Sequence, residues 1–120
     1  TTVKANKPRD AITRLESMVM MSHGSLPLVS IRRQIAGAVH LIVQIERMRD
    51  GMRRITSITE IAGMEGDVII TQDLFQFKYD PSTYGDEVKG SFESSRMRPV
   101  FATRATYYGL ETALLEAMQS

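Results

Sequence analysis

The stretch Ala38–Met48 (AVHLIVQIERM) constrains the fold of this chain more than any other segment. Apolar residues hold alternate positions from Val39 to Ile45, and the positions between them are partly apolar as well. Such a run predicts a strand that is buried on both sides and central in a sheet. The pair Asp50-Gly51 follows at once and predicts a hairpin, because glycine accepts the positive φ that tight turns need.

Two further strands are predicted to extend this hairpin into a meander. The first is Arg54–Ala62, and the second is Val68–Tyr79, with the glycine-flanked segment Gly63–Asp67 as a tight turn between them. The composition of residues 80–86 predicts a loop, and Val88–Glu93 is consistent with a short fourth strand.

Helical patterns flank the predicted meander on both sides. Apolar residues recur at helical spacing over Pro8–Met21, with a stop at His23-Gly24-Ser25, and again over Leu28–Ala36, with Gly37 as the expected end. Phe101–Tyr108 and Leu110–Met118 are also helical in pattern, and Gly109 separates or kinks them. The predicted fold class is α+β, with two N-terminal helices, an antiparallel three- to four-stranded β-meander and a C-terminal helix.

Three methionines near the end of the first predicted helix form an apolar cluster: Met18, Met20 and Met21. Methionine adapts to many partners, so such a cluster suits a binding surface as well as a core. Packing in the core is the favoured interpretation.

The chain has 120 residues, which is enough for one domain with its own core. It has no cysteine, which excludes disulfides, thiol catalysis and cysteine metal sites. It also has no apolar run of the length that a membrane span needs. The first residue is a threonine rather than a methionine, and we expect the chain to be a fragment of a longer protein.

Charge is distributed unevenly along the chain. Residues 1–60 contain ten Lys and Arg against five Asp and Glu, whereas residues 61–120 contain five against nine. This asymmetry fits a surface that faces a partner, and it fits equally well two solvated faces of one domain.

The familiar catalytic motifs are missing from the sequence. His23 and His40 are the only histidines, and their spacing fits no metal motif. The sequence contains no GxSxG elbow, no GxxxxGK[ST] phosphate loop and no GxGxxG. We therefore predict no metal ligands and no ATP hydrolysis by this chain alone.

Arginines around the predicted turn are the remaining chemical signal. Arg47, Arg49, Arg53 and Arg54 bracket Asp50-Gly51, and the arginine fork suits phosphate or carboxylate groups. The favoured interpretation is a solvated face with ion pairs to acidic neighbours such as Glu46, Asp50 or Glu60. A phosphate-sensing or intersubunit role comes next. Nucleic-acid binding is the least favoured, because no aromatic residue lies among these arginines.

The opening TTVKANKPRDAITRLESMV resembles the His-box segment of the CpaF-type secretion ATPases, which reads TT-[IV]-HAN-x-PRDAL-x-RLE. These motors of tight-adherence (Flp-type) pili belong to the type II/type IV secretion ATPase superfamily. The likeness continues through IRRQIAGAVHLIVQIERMRDGMRRITSITEIAGMEGDVIITQDLFQF and ends near RPVF, which looks like the family's RP-x-F. It covers about Thr1–Gly109.

This resemblance implies that residues 1–109 are the C-terminal portion of a RecA-like P-loop ATPase motor domain, with 110–120 as a helical tail. The Walker A and Walker B elements would lie upstream. The complete protein would bind ATP and Mg²⁺ and assemble as a homo-hexamer. It would power pilus assembly or protein secretion from the cytoplasmic side of the inner membrane, in contact with platform proteins, its own N-terminal domain and neighbouring subunits.

The resemblance also supplies candidate site residues. Lys4 occupies the His-box position, where the family's histidine is expected near the γ-phosphate, and it is the candidate catalytic residue. Lysine approaches phosphate as a point charge but does not titrate near neutral pH as histidine does. Asn6, Arg47 and Arg32 are the candidate nucleotide-proximal or intersubunit residues. The alternative function is a non-enzymatic interaction module that uses the Arg47–Arg54 hairpin.

Overall fold

A computed structural model describes residues 2–22, 24–80, 85 and 87–119 of this chain. The described residues form four helices and one four-stranded sheet. In chain order these are α1 (Pro8–Ser22), α2 (Leu28–Ala38), β1 (Leu41–Arg47), β2 (Arg53–Glu65), β3 (Val68–Tyr79), β4 (Gly90–Ser94), α3 (Ala102–Tyr107) and α4 (Glu111–Gln119). The α+β fold class and the antiparallel meander are confirmed. The predicted stop at His23 and most of the 80–86 loop lie outside the described residues.

The sheet has the strand order β1-β2-β3-β4, with every neighbouring pair antiparallel. The prediction that the Ala38–Met48 strand is central was therefore wrong, because β1 lies at an edge. Its alternate residues Leu41, Val43 and Ile45 are exposed, with 57% of Ile45 accessible to solvent. An apolar run alone does not distinguish a central strand from an edge strand whose outer face lacks cover.

Both predicted hairpin turns are present. Gly51 has a φ of 83°, and the Asp50 carboxylate accepts a hydrogen bond from the Met52 amide at 3.0 Å. The second turn is tighter than predicted, because β2 continues to Glu65 and only Gly66-Asp67 connects it to β3. Gly63 lies inside the strand, at a register shift next to Ile61. Bulges commonly hold such glycines.

The helix over Pro8–Ser22 agrees with the prediction, but α2 does not end at Gly37. It continues to Ala38, and Val39 then donates its amide to the Ile35 carbonyl at 2.9 Å. Glycine weakens a helix without breaking it when packing holds the flanking turns. Here Ile31 and Ile35 are buried on the same helix.

The core lies on one face of the sheet, beneath α1 and α2. Five buried isoleucines form it, namely Ile12, Ile31, Ile35, Ile61 and Ile69. The three methionines at the end of α1 do not join this cluster: all three are exposed, Met21 to 88%. The preference for core packing was wrong for them, because helical spacing turns them away from the sheet.

The C-terminal segment covers part of the opposite face. Ile61 faces the helices, so its neighbour Glu60 points to the other side, as successive residues of a strand do. There Glu60 binds the backbone of Val100 and Phe101. Gly109, with a φ of 73°, separates α3 from α4 as predicted. Among the described residues, no helix has the length and apolar character needed to cross a bilayer.

Candidate functional site

A cleft of about 660 Å³ opens at the end of β1, beside the hairpin turn. The extended N-terminal segment at positions 2–7 forms one wall and β1 forms another. Its lining residues are Ala5, Asn6, Gln44, Ile45, Glu46, Arg47, Met48, Arg49, Tyr79 and Val88. Amide and guanidinium groups dominate the polar part of this lining, so the cleft is suited to an anion.

Two of the four residues predicted for the site line this cleft. Asn6 comes from the N-terminal segment and Arg47 from the last position of β1, so residues distant in sequence meet there. Lys4 lines a second cavity of about 340 Å³, which shares Ala5, Gln44 and Ile45 with the first. Lys4 and Asn6 thus lie on either side of the place where the two cavities meet.

Arg32 lies apart from the cleft, on α2. It forms an ion pair with Glu16 at 2.9 Å and donates to the Asp67 carbonyl at 3.0 Å. These bonds connect α2 to α1 and to the β2–β3 turn. The geometry gives Arg32 a packing role within the described residues, and its assignment to a nucleotide or subunit contact stays a prediction.

The four hairpin arginines have different environments. Arg54 forms a two-bond ion pair with Asp50, at 2.7 and 3.1 Å, and this guanidinium lowers the pKa of the Asp50 carboxyl. Arg49 donates to the Glu87 carbonyl at 2.7 and 3.0 Å. Arg47 and Arg53 are direct cross-strand partners, and in the described part of the chain neither guanidinium makes a hydrogen bond or an ion pair. Only one of the three suggested acidic neighbours, Asp50, therefore pairs with an arginine of this group.

Two cleft residues were missed by the sequence interpretation. Gln44 is half-buried in β1, and its side-chain amide donates to the Ala5 carbonyl at 2.8 Å. The strand register shifts between Gln44 and Ile45, where Thr56 is an extra residue of β2. Tyr79, at the end of β3, lines the same cleft. Strand pairing brings these residues together, and no local sequence pattern reveals that pairing.

ATP and Mg²⁺ are the ligands that the resemblance implies for the complete protein. Guanidinium and amide donors fit phosphate oxygens. Within the described lining, Glu46 supplies the only carboxylate. No cluster of three or more potential metal-ligating side chains occurs among the residues the structure describes.

Among the residues that the structure describes, His40 is the one histidine, and it forms no nucleophile–base pair. His40 contacts Arg104 at 3.2 Å through its Nε2 atom, away from the lining of the cleft. His23 lies outside the described residues. The described arrangement thus supports anion binding rather than a complete catalytic site.

Comparison with known proteins does not assign the chain to a family. No protein-family model matches it, and no curated protein matches it. Any functional assignment therefore depends on the cleft and on the residues that carry the CpaF resemblance.

Proposed function

We propose that this chain is the C-terminal subdomain of a hexameric secretion or pilus-assembly ATPase of the CpaF type. The observation that carries the proposal is the cleft shared by Asn6 and Arg47. The resemblance names both residues as nucleotide-proximal or intersubunit candidates, and they line one cavity although the strand and the N-terminal segment are separated by two helices.

Electrostatics supports an anionic ligand at this place. Like charges directly opposite each other in an antiparallel pair are destabilising, and Arg47 and Arg53 occupy such positions. A phosphate group near them would relieve the repulsion and accept hydrogen bonds from a guanidinium fork. In this proposal Asn6 orients the ligand, and Lys4 approaches it from the adjoining cavity.

In this proposal, this chain supplies one part of the nucleotide-binding site, and the rest of the motor supplies the other parts. The phosphate loop and the acidic Walker B strand would lie upstream, with most of the binding energy for ATP and Mg²⁺. The complete motor would act as a homo-hexamer at the cytoplasmic side of the inner membrane. Its partners would be its N-terminal domain, neighbouring subunits and membrane platform proteins. The chain alone is then expected to be inactive.

The first test is the reading frame upstream of Thr1, which should encode GxxxxGK[ST] followed by an acidic strand. The second is ATP hydrolysis by the purified chain and by the full-length protein. We expect turnover only in the full-length protein, with a loss of roughly tenfold or more on Arg47→Gln, equivalent to about 1.4 kcal/mol.

The matched control is Arg33→Gln. Arg33 is an exposed arginine on α2 that does not line the cleft. A reading frame without a phosphate loop would reject the proposal. Equal losses in the two variants would reject the role of Arg47.

The Arg47–Arg53 pair also favours a second candidate, a non-enzymatic module that binds an acidic protein segment. Binding of a poly-glutamate peptide by the isolated chain distinguishes this module from a motor subdomain. If the peptide binds, binding weakens on Arg53→Gln and the upstream frame lacks a phosphate loop, the interaction module replaces the motor.

A further inference from the structure

The N-terminal segment at positions 2–6 is attached to the sheet through one side chain. Gln44 donates from Nε2 to the Ala5 carbonyl at 2.8 Å, and the bond is partly buried. In the part of the chain that the structure describes, it is the one hydrogen bond between positions 2–6 and the sheet. We infer that Gln44 positions Lys4 and Asn6 relative to Arg47, and so sets the geometry of the anion-binding cleft.

The local structure of β1 holds Gln44 in place. Alternation along the strand puts Gln44 on the face that carries α1 and α2, next to Ile42, which packs against the core. The extra residue opposite this point, Thr56, donates its hydroxyl to the Gln44 carbonyl at 3.4 Å. Bulges of this kind redirect side chains and are over-represented beside functional sites.

The bond also lies between the two cavities. Ala5, Gln44 and Ile45 line both of them, whereas Lys4 lines only the smaller and Asn6 only the larger. The Gln44–Ala5 contact therefore fixes which residues of the N-terminal segment face which cavity. Without it the segment has no polar attachment to β1, and the position of Asn6 in the lining of the cleft is no longer fixed.

The inference rests on the proposed function only for the ligand, a phosphate-bearing anion. The positioning role itself is a statement about the fold. Two measurements on the same variants test the positioning role and the phosphate ligand separately. They are backbone order in the N-terminal segment and binding of inorganic pyrophosphate.

The informative variant is Gln44→Leu, which keeps the size of the side chain and removes the donor. NMR order parameters of the amides at positions 3–6 should fall from about 0.85, typical of rigid backbone, to below about 0.6. Pyrophosphate affinity, followed through the amide shifts of Asn6 and Arg47, should fall roughly fivefold, the factor that a net hydrogen bond of about 1 kcal/mol gives. The thermal midpoint of the core should change little, since Gln44 lies outside the isoleucine cluster.

Two further variants complete the experiment. Gln34→Leu, at an exposed position of α2, is the matched control and should change neither readout. Gln44→His places a ring nitrogen at the same ε position, so its neutral N–H should restore both the order and the affinity. A side chain at position 44 that only filled space would not restore the backbone order and the pyrophosphate affinity.

The possible outcomes test the positioning role of Gln44 and the phosphate function of the cleft. Unchanged order in Gln44→Leu overturns the positioning role. Lost order with pyrophosphate binding equal to that of the wild type overturns the link between Gln44 and the cleft. Lost order in a chain whose wild type binds no pyrophosphate supports the positioning role and overturns the phosphate function.

Discussion

The carboxylate of Glu60 is the most enclosed charged group among the described residues, with 1% of the residue exposed. Its two oxygens accept hydrogen bonds at 2.7–2.8 Å from Gln72 and from the backbone amides of Val100 and Phe101. A buried carboxylate is costly unless such donors compensate for the lost water. Glu60 therefore holds the C-terminal segment on the sheet, and the sequence interpretation of Glu60 as a surface partner for arginine was wrong.

Replacing Glu60 with alanine should destabilise the protein by about 3 kcal/mol, because three part-buried hydrogen bonds to this carboxylate would be lost. Glu60→Gln should cost less, about 2 kcal/mol, since its carbonyl keeps part of the bonding. Urea unfolding measures both, with the exposed Glu65→Gln as a control expected to stay within about 0.5 kcal/mol. An unfolding midpoint of Glu60→Ala equal to that of the control would contradict this role.

The ion pair at the first hairpin should make stability depend on pH. The Arg54 hydrogen bonds, followed by the Met52 amide, lower the pKa of Asp50 from its ordinary value of 3.8. A carboxyl with a lowered pKa in the folded state stabilises that state above its unfolded pKa, and this contribution is lost as the pH falls through the folded value. Urea midpoints at pH 5 and pH 2 should therefore differ less in Asp50→Asn than in the wild type.

Asparagine at position 50 keeps an oxygen that can accept from the Met52 amide, so the comparison isolates the charge. Asp67→Asn, in the exposed second turn, is the matched control and should follow the wild type. Equal pH dependence in Asp50→Asn and the wild type would count against the ion pair.

At the scale of elements, local patterns predicted most of what the structure shows. The bounds of β3 are as predicted, and α1 differs by one residue, because periodicity and turn residues act over a few neighbours. The place of β1 at the edge, the bulge beside Gln44 and the burial of Glu60 depend on strand pairing and on the C-terminal segment. The cleft was predictable only as far as the resemblance named Asn6 and Arg47.

Gly37 offers a test of why α2 continues beyond its predicted end. A Cβ at this position would meet no atom within 4 Å, and Gly37 is not among the glycines with positive φ. Gly37→Ala should therefore stabilise the protein by about 0.5–1 kcal/mol, through a helix propensity that glycine lacks. Chemical denaturation measures the gain.

The matched comparison is Gly51→Ala, at a φ of 83°, where a side chain strains the backbone by about 1 kcal/mol. Opposite signs for the two glycine variants are expected. A destabilised Gly37→Ala would mean that α2 is strained at its last turn.

At the scale of the whole molecule, the sheet has unequal faces. The helices cover one, whereas on the other the C-terminal segment reaches Glu60 and leaves the β1 side chains Leu41, Val43 and Ile45 exposed. Exposed apolar residues on an edge strand promote association between chains. The isolated chain should therefore self-associate through this face as its concentration rises.

Val43→Lys should reduce that association, because lysine on an edge strand opposes strand pairing between molecules. Met18→Lys on α1 is a close control away from this face, since Met18 is 50% exposed and Val43 is 49% exposed. Light scattering at matched concentrations should fall for Val43→Lys and remain unchanged for Met18→Lys. The same scattering from both variants and from the wild type would show that this face does not drive association.

The composition of the core has a consequence for synthesis on the ribosome. Three of its five isoleucines lie in α1 and α2, and the other two lie in β2 and β3. Translation delivers the helices first, and isolated helices of this length are marginal in water. The sheet face that covers these helices is complete only when Ile69 has left the exit tunnel, so the β2–β3 hairpin is the step at which all five isoleucines can be buried together.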